Sequence, residues 1–136
     1  LIMSSLSAFL HPEQAENKEV VVSDRFKENG KPVPFVIRPL TQEENGEIMK
    51  KYRKVSKDTG VEVFNRIGYN HALVAAAVVE PDLNSAELQK AWGVLGPENL
   101  LAKMLYIGEF GKLLEAVQEL SGLDKDINED ISEAKN

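Results

Sequence analysis

Val20-Val21-Val22-Ser23-Asp24-Arg25-Phe26, then Asn29-Gly30, then Val33-Pro34-Phe35-Val36-Ile37-Arg38 is the stretch on which the fold class turns. Two runs rich in β-branched and aromatic residues flank Asn-Gly, a pair that tolerates the positive φ of a type I′ turn, so the stretch predicts a β-hairpin. Alternation puts Val33, Phe35 and Ile37 on one face. Pro32 and Pro34 donate no ladder hydrogen bond, which predicts that this strand lies at an edge. A lone hairpin is marginal in water and must pack on something. The rest of the chain supplies helices.

Thr41-Gln42-Glu43-Glu44 is a capping box, in which the Thr hydroxyl and the Glu carboxylate each satisfy an orphan backbone N–H. A helix is predicted from there, with Ile48, Tyr52 and Val55 as its buried stripe and Asp58-Thr59-Gly60 as its stop. A second runs from Val61 to Glu80, carrying Phe64, Ile67, His71, Val74, Val78 and Val79 and ending before Pro81. Its Ala-rich, nearly charge-free second half marks it as the central helix. Asn84-Ser85-Ala86-Glu87 caps a short helix through Trp92 that Gly93 stops, and Gly96-Pro97-Glu98 opens another with Leu100, Leu101, Met104 and Leu105 on its apolar face. A last helix spans Glu109 to Leu120, with Gly122 as its cap.

Upstream, Leu6, Phe9 and Leu10 have the spacing of a short amphipathic helix, and residues 11–19 read as a polar, acidic linker. Downstream, residues 124–136 are acidic but keep Ile127 and Ile131 four apart, as a frayed helix or as a tail that orders on a partner. The expectation is therefore an α+β, mainly α fold: one domain over residues 1–136, with an N-terminal β-hairpin packed against four to five helices, an N-terminal segment 1–19 and a C-terminal tail 124–136.

Composition narrows the function. At 136 residues, 43% apolar and 28% charged, the chain has the make-up of one globular domain. It contains no cysteine, which removes disulfides, thiolate metal sites and cysteine nucleophiles together. The opening LIMSSLSAFL lacks a basic n-region and a small-residue cleavage site, so no signal peptide is expected. The longest apolar run, Ala72 to Val79, falls well short of the ~20 residues that span a bilayer. A cytoplasmic protein without a membrane anchor is the expectation. The net charge of −6 argues against nonspecific nucleic-acid binding. Residues 25–57 nevertheless hold nine basic groups against four acidic ones, a net of +5 that leaves −11 elsewhere. That region can attract an acidic partner, another copy's tail included.

Each candidate chemistry fails at named positions. His11 and His71 are the two histidines, neither in a zinc or triad pattern, and His71 reads as a hydrogen-bonded core residue. Asp124-Lys125-Asp126-Ile127-Asn128 starts like an EF-hand loop, but Glu129 stands where the turn needs Gly and Lys135 where the bidentate Glu belongs. Gly93-Val94-Leu95-Gly96 lacks the Gly-Lys-Ser/Thr of a phosphate loop. Lys50-Lys51-Tyr52-Arg53-Lys54 reads as a solvated cationic face beside a buried-stripe tyrosine. No catalytic set, cofactor or metal is expected. Trp92, the single tryptophan, is either a core anchor or an interface anchor.

Several blocks then fall into a familiar order: Ser23-Asp24-Arg25-Phe26-Lys27, Pro32-Val33-Pro34-Phe35, Thr41-Gln42-Glu43-Glu44-Asn45, Glu80-Pro81-Asp82-Leu83 with Ala86-Glu87-Leu88, Gly93-Val94, and Met104-Leu105 with Gly108-Glu109. With Gly122 and the ending Asp124-Lys125-Asp126-Ile127-Asn128-Glu129 to Ala134-Lys135-Asn136, the chain resembles, from about Leu6 to its last residue, the XkdN-type tail assembly chaperones of phages and defective prophages of Gram-positive bacteria. The resemblance implies a non-catalytic helper, absent from the mature virion, that binds the tape-measure protein and keeps it soluble while the tail tube polymerises. It also implies self-association and a frameshifted longer form; Ala134-Lys135-Asn136 is compatible with a slippery A AAA AAC heptamer. On this reading the exposed members of Leu83, Leu88, Trp92, Leu95 and Leu100 contact the client or a second copy. The rival is a structural tail component retained in the virion. A small DNA-binding regulator rests on residues 50–57 alone.

Overall fold

The computed structural model describes residues 3–123. Its elements in chain order are α1 (Met3–Leu10), β1 (Lys18–Val20), β2 (Lys27–Glu28), β3 (Lys31–Pro32), β4 (Phe35–Ile37), α2 (Gln42–Lys51), β5 (Arg53–Val55) and β6 (Glu62–Phe64). They continue with α3 (Arg66–Ala77), β7 (Val78–Glu80), α4 (Ala86–Trp92), α5 (Pro97–Met104) and α6 (Ile107–Leu120).

The strands correct the expected fold class. They form three small sheets scattered along the described residues, not one N-terminal hairpin laid on helices. Asn29-Gly30 does turn the chain, with φ of 53° and 75°, but it closes only the two-residue ladder of β2 and β3. The longer runs meet outside it, Lys18 opposite Ile37 and Val20 opposite Phe35, all antiparallel. β7 then takes the other side of β4, Val78 opposite Ile37, so β4 is the middle strand and not an edge. The prolines permit this because Pro32 belongs to β3 and Pro34 precedes β4; residues 35–37 all keep their N–H donors.

A second correction concerns the two long helices. The helix opened by the capping box stops at Lys51, and its reciprocal cap is formed, Thr41 N–H donating to Glu44 Oε1 at 3.0 Å and Glu44 N–H to Thr41 Oγ1 at 3.2 Å. The next residues form the hairpin β5–β6, for which Asp58-Thr59-Gly60 is the loop and not a helix stop. Ser56 N–H donates to Val61 O, Gly60 N–H to Ser56 O, and Gly60 has φ 69°. Val55 therefore points to solvent, 63% exposed. The central helix shrinks at both ends to α3. Asn65 caps it by accepting from Gly68 N–H at 3.0 Å.

Gly68 is the position where a glycine is required by close approach. A Cβ there would lie 2.5 Å from Tyr52 Cε1 and 2.7 Å from Cδ1, so the half-buried ring would have to shift. Gly68→Ala is expected to destabilise by a net of about 1 kcal/mol, overpacking of about 1–3 kcal/mol outweighing a helix-propensity gain of about 1 kcal/mol. Urea denaturation of the two chains checks this.

The buried side chains form one cluster. It joins Val20, Phe35 and Ile37 of the three-stranded sheet, Leu73, Val74 and Ala77 of α3, Leu100, Leu101 and Met104 of α5, and Leu113 and Val117 of α6. Ile37, Val74, Leu100, Leu101 and Leu113 are fully enclosed. The chain leaves β7 through a cis Glu80–Pro81 bond, and the next turn brings Leu83 into the core and presents α4 beside the β2–β3 hairpin.

Candidate partner-binding surface

α4 and the β2–β3 hairpin enclose an apolar groove of about 410 Å³. Leu88 and Trp92, four apart on one face of α4, form one wall; Phe26, Val33 and Pro34 form the other; Phe35, Pro81 and Met104 lie between them, and Glu80 is at the rim. Local chemistry fixes α4. Ser85 Oγ accepts from Leu88 N–H at 3.2 Å, and Gly93 ends the helix at φ 69°. The Gln89 side chain then ties both flanking loops, its Nε2 donating to Leu83 O at 2.8 Å and its Oε1 accepting from Gly96 N–H at 3.0 Å.

The opposite wall is held by a clamp. Arg25 sends a fork to Glu109, Nε to Oε2 at 2.9 Å and Nη2 to Oε1 at 2.5 Å, and Nη2 also donates to Met104 O at 2.9 Å. Its guanidinium lies over the Phe26 ring at 4.9 Å and the Tyr106 ring at 4.2 Å. Phe26 meets Phe35 edge-on, centroids 5.9 Å apart. The bidentate pair thus fastens the hairpin to the start of α6, where Glu109 also caps the helix by accepting from Tyr106 N–H at 2.8 Å.

The clamp leaves an acid signature. Glu109 falls from the usual 4.5 to about 2, chiefly through the hydrogen bond from Arg25 and then that from the Ser23 hydroxyl. Glu44 falls likewise to about 2, through the hydrogen bond from Arg38 and then that from the Thr41 backbone. Both folded values lie below the unfolded ones, so each carboxylate stabilises the fold above about pH 4.5 and loses that contribution as pH drops toward about 2. The melting temperature is expected to fall across that window, and Glu109→Gln to flatten the fall while lowering the plateau near neutral pH. A pH series of thermal melts reads both.

The cluster singled out from the sequence divides. Leu88 and Trp92 are half-buried and line the groove; Leu83 and Leu100, 2% and 0% exposed, are core residues; Leu95, 84% exposed, stands in the α4–α5 loop outside the groove. Sequence reasoning missed Phe26, Val33 and Pro34 as groove residues. Their signal was the hairpin itself, whose residues outside β4 have no sheet neighbour to cover them.

The other candidates sit elsewhere. His71 stacks on Phe110 with centroids 4.5 Å apart, and its Nδ1 lies 2.8 Å from Ile67 O. Of the cationic run, Arg53 is paired with Glu62 at 2.6 Å and Lys50 with Glu47 at 3.3 Å, and the whole β5–β6 hairpin mixes cations with exposed Val55, Val61 and Val63. Among the described residues no three His, Cys, Asp or Glu are grouped as metal ligands, and no helix is long and apolar enough to cross a membrane. The EF-hand-like start and the acidic tail lie outside the described residues.

Comparison with known proteins gives these features a setting. Residues 6–135 match the family described as Phage XkdN-like tail assembly chaperone protein. The Phage-like element PBSX protein XkdN of Bacillus subtilis (strain 168) is 26% identical over 128 residues, spanning 90% of this chain and 86% of that protein. The crystal structure of the protein YqbN shares the fold, with a TM-score of 0.71 over 86% of this chain and 96% of that one, at 24% identity. The chain belongs to the XkdN-like family of phage tail assembly chaperones.

Proposed function

We propose that this chaperone binds the phage tape-measure protein during tail assembly and keeps it soluble, working in the host cytoplasm without catalysing a reaction and leaving before the virion is complete. The observation that carries this reading is the groove between α4 and the β2–β3 hairpin, apolar on both walls and open to solvent. A long helical client exposes apolar stripes that aggregate unless covered, and an amphipathic helix laid in a groove buries such a stripe through side chains spaced three and four apart. Trp92 and Leu88 supply the flat apolar wall that such a helix packs against. Binding of this kind needs surface alone; no bond is made or broken.

Co-expression with the tape-measure protein is the direct test. The expected result is that the client copurifies with this chain and stays in the soluble fraction; failure of both overturns the reading. Mass spectrometry of purified virions should find the tape-measure protein without this chain. Its presence there at stoichiometric level would make it a structural tail component instead.

A further inference from the structure

Residues 5–17 form an arm that the other described residues leave uncovered. α1 is an eight-residue helix with no acidic residue in its first turn and no basic residue in its last, closed by His11 N–H donating to Ser7 O at 2.9 Å. Every residue from Ser5 to Glu19 is exposed, and Leu6, Phe9 and Leu10 are 64%, 83% and 63% exposed. Isolated helices shorter than about 12–15 residues are marginal in water, so a helix of this length persists on a surface that covers its apolar side. The described residues outside the arm do not provide that cover.

We propose that α1 of one copy docks in the groove between α4 and the β2–β3 hairpin of a second copy, Phe9 entering between Val33 and Trp92. Charge supports this occupant. The tether carries Glu13, Glu16 and Glu19 against Lys18, a net of −2, while the β2–β3 hairpin beside the groove carries Lys27 and Lys31 against Glu28, a net of +1, with Glu80 the one charged residue of the groove lining itself. Neither lysine is in an ion pair among the described residues. Residues 11–17 give the arm an extended length of about 25 Å at roughly 3.3–3.6 Å per residue. Exchange of two identical arms between two identical grooves is isologous and closes on a dimer, leaving neither apolar surface in water. The inference stands apart from the client reading, since it concerns what fills the groove when this chain is alone.

The absence of native cysteine makes the test direct. A chain with Phe9→Cys is mixed under mild oxidation with a differently tagged chain carrying Val33→Cys; a disulfide joining the two tags is expected. Phe9→Cys mixed with Lys57→Cys, in the β5–β6 loop outside the groove, is expected to give little. Sedimentation velocity of the full chain should show a concentration-dependent dimer that Phe9→Asp weakens by about 100-fold or more, because each symmetric dimer loses two buried phenylalanine side chains at about 10-fold or more apiece. Phe9 is 83% exposed in the single copy, so this variant keeps its fold. The proposal is overturned by a monomer at every concentration, by a disulfide that forms only inside a chain carrying both Phe9→Cys and Val33→Cys, or by equal linkage to Lys57→Cys.

Discussion

Ile37→Ala is expected to lower the stability of this fold by about 2–5 kcal/mol, the range for truncating a fully enclosed aliphatic side chain. Ile37 is 0% exposed and belongs to the middle strand of the three-stranded sheet, paired with Lys18 on one side and Val78 on the other. Its side chain belongs to the buried cluster that also holds α3, the helix that touches both α5 and α6. Collapse into the vacancy would need two paired strands to shift together, so the cavity should persist. Against a total of about 5–15 kcal/mol for a domain, that loss is a large fraction. Urea denaturation should show a lower midpoint with an unchanged slope. Val36→Ala is the control: Val36 is half-buried on the opposite side of the same strand, and its truncation should cost much less. Equal effects would mean that the two sides of the sheet contribute alike, and not that its core side carries the stability.

How much of this could be read from the residues depends on whether a signal is local. The capping box at Thr41, the asparagine-glycine turn, the helix cap within Asn84-Ser85-Ala86-Glu87, which Ser85 forms, and the glycine stop at Gly93 are contained in four or five residues, and each forms in the structure. β7 is the opposite case. Val78-Val79-Glu80 continues the apolar run of α3 without a break, and only pairing with β4, forty residues upstream, makes it a strand. The β5–β6 hairpin hid for a related reason, since Ile48, Tyr52 and Val55 share a helical stripe that α2 abandons at Lys51. The groove was half legible. Leu88 and Trp92 announced an apolar face on α4, but whether Leu83 and Leu95 lay under or outside it depends on the loops that Gln89 ties down.

Trp92→Ala is the second large effect, expected to weaken tape-measure binding by about 2 kcal/mol or more, roughly 30-fold, as truncation of a tryptophan at the centre of an interface does. Trp92 is half-buried against the core, so part of any loss could come from the fold; Trp92→Phe, which keeps an aromatic wall on α4, should recover much of the binding. Leu95→Ala gives the spatial control. Leu95 is 84% exposed and outside the groove, and its truncation should change affinity by less than about threefold if the client lies between α4 and the hairpin. The reverse pattern would move the client to the α4–α5 loop. Because Trp92 is the only tryptophan, a tryptophan-free client lets its emission report the groove directly. A blue shift on saturation, retained in Leu95→Ala, follows from expulsion of water around the indole. Unchanged emission on a client that still copurifies would take the client out of the groove, because no helix can fill that space without desolvating Trp92.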